Sequence, residues 1–302
     1  MTVHLDGICP LPQLGVIRAE GEEAAKFLHG QLTHDFALLD LQHARLTAFL
    51  SAKGRMQASF TGFKRSDTEV LLVCSADLLA ATLKRMSMFV MRAKARLSDA
   101  SADYQLYGVA GNAIKNIAGS ALGTGAKADF DQISLIGLRP AGTSPRALWV
   151  APAGVPAPQG EALTPELWAW GEVQSGVATL TAGLVDAFVP QMLNYESVDG
   201  VNFKKGCYPG QEVVARSQFR GAIKRRGFLA HAPTALSPGD EIFTADDAEQ
   251  PCGLVVQAAP APDGGWDAIV SVQLSAAQAG NLRAGPSELV LRAMPYQLAE
   301  DI

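Results

Sequence analysis

Apolar positions change period several times along the first hundred residues. Leu14 to Ala19 reads as a short strand. From Gly21 to Leu32 the apolar residues Ala24, Ala25, Phe27, Leu28 and Leu32 return at helical spacing. Leu46 to Leu50, Met56 to Lys64 and Glu69 to Ser75 predict strands of one sheet, with Lys53-Gly54 in a hairpin turn. Ala76 to Met91 follows as a helix. Strands, then a helix, then a strand suit an α+β layer better than a parallel doubly wound sheet. A similar set recurs from Tyr104 to Val150: a strand, a helix from Gly111, and strands near Ile133 and Ala147.

Ala151 to Pro158 is a loop by its proline and glycine content. Pro165 to Ser175 predicts another helix, with Thr164 as its cap and Pro165 at its first position. Beyond Arg226 the pattern changes to short strands. These are Gly227–His231, Glu241–Phe243, Gly253–Ala258, Trp266–Val272 and Glu288–Ala293, divided by turn signals such as Ser237-Pro238-Gly239-Asp240 and Asp263-Gly264-Gly265. That spacing predicts a small β-barrel.

With 302 residues the chain is long enough for two or three core-forming units, and 48% hydrophobic with 18% charged residues describes an ordinary globular protein. No cationic segment followed by an apolar run opens the chain, and no apolar stretch reaches spanning length, so a cytoplasmic location without membrane partners is the expectation. The four cysteines, Cys9, Cys74, Cys207 and Cys252, are widely spaced and form no C-x-x-C pair. No zinc or cluster cassette is therefore expected, and no resident metal or cluster. Cys74, inside the apolar run Val70 to Cys74, belongs to a core.

Cys207 is different. It follows Lys204-Lys205-Gly206 and precedes Tyr208-Pro209-Gly210-Gln211. Proline at the second and glycine at the third position predict a type II turn, which holds the thiol at the lip of a bend. Neighbouring cations favour the reactive thiolate, although an isolated cysteine is more often a small buried hydrophobe. From Lys204 to Arg226 there are seven basic residues (Lys204, Lys205, Arg216, Arg220, Lys224, Arg225, Arg226) against the single acid Glu212, a local +6 in a chain of net −5. Tyr195, Phe203, Tyr208 and Phe219 lie close by in sequence. A flat heterocycle with an anionic tail suits this mixture; a single-stranded nucleic acid and a merely solvated basic edge are the alternatives.

The runs Val189 to Asn194 and Gly200 to Arg216 resemble the YgfZ family of folate-binding proteins, whose signature K-G-C-Y-x-G-Q-E stands intact from Lys205 to Glu212. Phe27 to Asp35, Ser51 to Arg55 and Met88 to Lys94 also match in order and spacing. The likeness is clear up to about Arg226 and looser beyond. It implies a relative of the glycine-cleavage aminomethyltransferase, the T-protein: an α+β fold with a three-part ring, two α+β units around a folate pocket, and a C-terminal small β-barrel. The implied division is 1–47 plus 162–226 for a first unit carrying the cysteine motif, 48–161 for a second, and 227–302 for the barrel. It also implies tetrahydrofolate, in a polyglutamylated form, as cofactor. The implied role is iron–sulfur cluster assembly or repair in support of cluster-dependent enzymes, including tRNA methylthiolation. Iron–sulfur client or assembly proteins would be the partners.

By the same resemblance Cys207 is the residue on which activity depends, and Lys205 and Arg226 are basic neighbours of the folate site. Gln211, Glu212 and Arg216 shape the surroundings of the motif, and Tyr208, Gln191 and Asn194 complete the expected cofactor contacts. In aminomethyltransferases a glutamate before the central glycine binds the pterin, because a carboxylate accepts two hydrogen bonds from its amino and N–H donors. Alignment on Glu172 to Gly176 puts Gln174 at that position, so that either Glu172 or Glu196 substitutes or the pterin is held differently. A folate-dependent aminomethyl or one-carbon transferase using Cys207 and an RNA-binding module remain as alternatives.

Other signals are weaker. Gly123 to Ala128 fits G-x-G-x-x-A but follows a predicted helix and precedes a predicted strand, the reverse of a dinucleotide loop. His29 and His34 are five apart, which does not align two ligands on one helical face, so surface or capping roles are expected.

Overall fold

The computed structural model describes residues 3–219 and 223–299. Its elements in chain order are β1 (Gly7–Pro10), β2 (Leu14–Glu20), α1 (Ala24–His29), β3 (Ala44–Leu50), β4 (Met56–Ser66), β5 (Glu69–Ser75), α2 (Ala76–Ser87), β6 (Arg96–Asp99), β7 (Tyr104–Ala110), α3 (Asn112–Ala118), β8 (Lys127–Phe130), β9 (Ile133–Ala141) and β10 (Ser144–Pro152). They continue with α4 (Pro165–Gln174), α5 (Gln211–Phe219), β11 (Arg225–Ala232), β12 (Glu241–Thr244), β13 (Gly253–Pro260), β14 (Trp266–Gln273), α6 (Leu274–Ala279), β15 (Leu282–Ala284) and β16 (Ser287–Arg292).

Two five-stranded sheets carry the first half. One has the order β3-β4-β5-β2-β6 and the other β1-β7-β10-β9-β8; every strand pair in both is antiparallel. The α+β expectation holds. The expected division at residue 47 does not match, because it falls inside β3, whose register with β4 runs from Ala44↔Phe63 to Leu50↔Met56. Residues 48–161 are in fact shared between the two sheets, and β1 leaves the first unit to pair with β7. The third part is a closed barrel of order β11-β14-β13-β12-β15-β16, closed by β11 against β16.

The sheets face one another through Val16, Phe63, Leu71 and Val73 of one and Leu106, Ile136, Leu148 and Val150 of the other. Helix α4 closes this layer. The Thr164 hydroxyl caps it by accepting the Leu167 N–H at 3.3 Å. Trp168 is buried against the sheets, whereas Trp170 and Gln174 donate at 2.8 and 2.9 Å to Asp267 of the barrel. A helix buried on two sides has no single apolar stripe, which is why its sequence lacks clean amphipathic periodicity. The core of the first sheet continues through Tyr195 and Val201 into Leu229, Val256 and Ile269, which joins the barrel to it by apolar packing. No helix among the described residues is long and apolar enough to cross a membrane.

Candidate functional site

Three segments far apart in sequence meet at the cysteine motif. The Gln211 N–H donates to Tyr208 O at 3.2 Å and Gly210 has φ +80°, so the predicted turn forms as a type II bend at the start of α5. A Cβ at Gly210 would stand 2.6 Å from Ser51 O and 2.7 Å from Gly54 Cα. The bend is thus seated on the β3–β4 turn, where the Gly54 N–H donates to Ser51 O at 2.9 Å. The third segment follows α1. The Lys205 ammonium donates to the carbonyls of His29 and Leu32, the latter at 2.7 Å, and lies 4.6 Å from the centre of the Tyr208 ring. Burial pushes the Lys205 ammonium down to about 8, although Asp35 and Cys207 favour its charge.

Cys207 is exposed, and the other three cysteines are buried. Burial pushes the Cys9 thiol up to about 11 and that of Cys74 up to about 12. Next to the motif, His29 Nδ1 lies 3.0 Å from Asp35 Oδ1. His34 is buried rather than exposed, a correction to the surface role: its Nδ1 accepts the Asp35 N–H at 2.7 Å and its Nε2 meets Asp199 Oδ1 at 3.2 Å.

Among the described residues of the basic stretch, several cations are engaged within the protein. Lys205 is used by two carbonyls. Arg226, also buried, is bound to Glu196 Oε1 at 2.6 Å and Ala299 O at 2.9 Å. Arg216 pairs with Glu212 at 2.9 Å on the exposed face of α5. Arg220 lies outside the described residues. Other expected contacts are also engaged within the protein: Gln191 donates to Val214 O at 2.8 Å, and Asn194 exchanges bonds with Gly227. Gln174, at the position aligned with the pterin-binding carboxylate, donates to Asp267 of the barrel at 2.9 Å.

The cavity is elsewhere. A space of about 320 Å³ lies between the two sheets, α4 and the segment 195–199. Glu172, one of the two carboxylates weighed as substitutes, lines it; Glu196 does not. Glu172 keeps 21% of its side-chain surface accessible. Burial raises its pKa, opposed by Arg146, whose Nη2 stands 3.7 Å away, beyond hydrogen-bond length. Arg146 is itself lowered to about 10 by burial and stacks 4.4 Å over the Trp168 ring. The Trp168 indole N–H lies close enough to favour the Glu172 charge yet falls outside hydrogen-bond geometry. Arg45 Nε, Arg146 Nε and Trp168 Nε1, all on residues that line the cavity, are buried donors without a hydrogen-bond partner among the described residues. Tyr195 is fully buried and donates to Ala178 O at 2.6 Å. Half-buried Arg45 and Arg139 supply cations to the same lining, which also includes exposed His43, and Thr124 and Gly125 of the glycine-rich loop.

Cys207 is not among the cavity residues. A chain of bonds runs between the two places: Asp199 on the cavity wall to His34, His34 to the Asp35 backbone, Asp35 to His29, and His29 O to Lys205. Sequence reasoning named Cys207 and Lys205 and weighed Glu172, but missed Arg146 and Asp35. Arg146 sits in an ordinary strand pattern and has no local signal. Asp35 belongs to the matched segment Phe27 to Asp35 and could have been found there. Among the described residues no group of acids, histidines and cysteines is arranged to hold a metal ion.

No family model matches the chain. Among curated proteins it is 29% identical over 226 residues to an uncharacterised protein of Haemophilus influenzae, covering 74% of this chain and 73% of that one. It is 26% identical to the tRNA-modifying protein YgfZ of Serratia proteamaculans, over 96% of this chain and 92% of the relative. With YgfZ of Edwardsiella ictaluri the identity is 30% over 305 residues, 93% of this chain and 89% of the relative. Among solved structures, the glycine cleavage aminomethyltransferase T of Bartonella henselae superposes with a TM-score of 0.69 at 14% identity, over 96% of this chain and 86% of that one. Identity with YgfZ along almost the whole chain, on an aminomethyltransferase fold, places this protein in the YgfZ family.

Proposed function

We propose that the protein binds tetrahydrofolate in the cavity between its sheets and supports iron–sulfur cluster assembly or repair, and through it cluster-dependent tRNA modification such as methylthiolation. The observation that carries this reading is a cavity of about 320 Å³ whose lining includes the Glu172 side chain together with Arg45, Arg139 and Arg146. The residues fit the ligand. A pterin offers an amino group and a ring N–H to one carboxylate. The volume lies at the lower end of small-molecule pockets, enough for a ring system but not for a long tail. Arg45 and Arg139 are suited to meet the tail carboxylates, a role first expected of the stretch from Lys204 to Arg226.

When bound, a reduced pterin supplies one-carbon or electron-transfer chemistry. Glu172 orients it, Trp168 and Tyr195 wall it from water, and Cys207 acts as a thiol outside the cavity. The YgfZ relatives are named for tRNA modification, and a cluster-dependent enzyme as client links that name to an exposed thiol with no ligand partners. A folate-dependent one-carbon transferase is the second reading. It is favoured by Glu172 on the cavity wall, a carboxyl group that can stand in for the one missing at Gln174. Turnover of a carrier-bound aminomethyl donor with tetrahydrofolate would establish it.

The test is calorimetric titration of the purified protein with tetrahydrofolate, together with complementation of a strain lacking the protein. Saturable binding, and loss of methylthiolated tRNA restored by wild type but not by Cys207→Ala, is the expected pair of results. Full restoration by Cys207→Ala would remove the thiol from the account, and no binding at millimolar folate would remove the cofactor.

A further inference from the structure

We infer that Cys207, His29 and Asp35 form a thiol–imidazole–carboxylate unit in which His29 takes the proton of Cys207 and Asp35 positions His29. Its biological meaning rests on the proposed role of Cys207 as a working thiol, but its chemistry can be measured without that role. The argument starts at Asp35. Burial works against its charge, but bonds from the Leu38 N–H, at 2.9 Å, and from His29 more than offset this, so its pKa is lowered. An ionised carboxylate only accepts hydrogen bonds. His29 Nδ1, 3.0 Å from Asp35 Oδ1, must therefore carry the hydrogen, and in the neutral ring Nε2 presents a lone pair.

That lone pair faces the cysteine loop. A Cβ built on Gly206 would lie 3.2 Å from His29 Nε2, so the ring nitrogen rests against the residue that precedes Cys207. No hydrogen-bond partner for this nitrogen occurs among the described residues. Among the described residues no hydrogen bond joins His29 Nε2 to Cys207 Sγ, so the proposed transfer requires the exposed thiol to turn toward the ring, beside a residue with no side chain at 206. The Lys205 ammonium is tied to the backbone of His29 itself, and Asp35 and Cys207 both act on its charge. The other charged groups on the packed segments include Glu23 and Lys26 at α1, Lys204 in the loop, Lys53 and Arg55 in the β3–β4 turn, and the paired Glu212 and Arg216 on α5. Lys26 is engaged by Glu23 at 3.0 Å and Arg55 by Ala187 O at 2.8 Å.

In the proposed step the Sγ–H bond breaks and an Nε2–H bond forms. The thiolate keeps the electron pair, and the imidazolium charge is offset by Asp35. Thiolate, imidazolium, carboxylate and ammonium then sum to zero, an arrangement suited to a partly desolvated site. The thiolate would attack a soft electrophilic centre approaching from solvent.

The experiment is the rate of iodoacetamide alkylation of the full-length protein from pH 5 to 10, read by intact mass. The three other cysteines are buried, so one adduct reports Cys207, and a Cys207→Ser protein should gain none. With the unit intact, substantial reactivity persists at pH 6.5. In His29→Gln it should fall about ten-fold or more at pH 6.5 and stay within about two-fold at pH 9.5, where any thiol ionises. Asp35→Asn, which keeps the imidazole, should lose part of the acid-side reactivity. Profiles of His29→Gln and Asp35→Asn that superpose on wild type overturn the proposal. So does acid-side reactivity that survives His29→Gln but vanishes in Lys205→Met. Should His29→Gln not fold, ¹⁵N-histidine spectra of wild type and Cys207→Ser decide. A changed His29 Nε2 titration on loss of the sulfur supports the unit, and an identical titration overturns it. Neither readout involves folate or tRNA, so failure here is distinguishable from failure of the proposed cellular role.

Discussion

Glu172→Gln replaces the carboxyl group on the cavity wall, whose pKa burial raises, with an amide and changes little else. The amide keeps the length and shape of the side chain, so the wall between α4 and the sheets is preserved. What is lost is an acceptor for two donors on one ligand edge. Hydrogen bonds to a charged group contribute about 1.5–3 kcal/mol relative to an imperfect partner. The variant should therefore bind tetrahydrofolate roughly 10- to 100-fold more weakly. The accompanying control is Gln174→Ala. Its side chain donates to Asp267 of the barrel, so its loss should leave affinity within about two-fold while lowering thermal stability by about 1 kcal/mol, an ordinary hydrogen bond. The assay is calorimetric titration of wild type and both variants at one pH, with melting curves to confirm folding. Folded Glu172→Gln binding like wild type would refute the reasoning, and a large loss in Gln174→Ala would restore the alignment-based assignment.

Two further outcomes follow from the geometry. Gly210→Ala meets both a positive φ and the Ser51 carbonyl, costs of about 1–2 and 1–3 kcal/mol, so its melting temperature should drop by several degrees; a drop below about one degree contradicts the packing of the bend on the β3–β4 turn. Lys205 has a folded pKa depressed from 10.5 to about 8, so the stability linked to its neutral form is present above pH 10.5 and lost as pH falls through 8. The stability of wild type relative to Lys205→Met should rise between those limits by up to roughly 3 kcal/mol, measured by urea unfolding, and a flat difference would refute its burial.

The parts of the fold set by local rules were legible. Thr164 and Pro165 announced α4, and the regular turns after Arg226 announced the barrel, since each strand there is bounded by its own glycine or proline signal. Strand β1 was not, because four residues that pair with β7 a hundred positions away leave no alternation to detect. Nor was α5, in which only Val214 and Gln218 are buried. The site divides in the same way. The bend at Cys207 follows from Pro209 and Gly210. The fate of the basic stretch does not, because whether Lys205 meets solvent or a carbonyl is decided by the end of α1, more than 170 residues earlier. Glu172 and Gln174 stand on different sides of α4, one on the cavity and one at the barrel, which an alignment does not carry. Two positions on a helix lie about 200° apart, so a shift of two residues exchanges the cavity for the barrel.

The most direct measurement is a crystal structure with tetrahydrofolate. The account predicts the pterin in the cavity between the sheets, with its amino group and ring N–H on the Glu172 carboxylate and its tail toward Arg45 and Arg139. A pterin bound beside Cys207, or against Gln174 at the barrel, would contradict it.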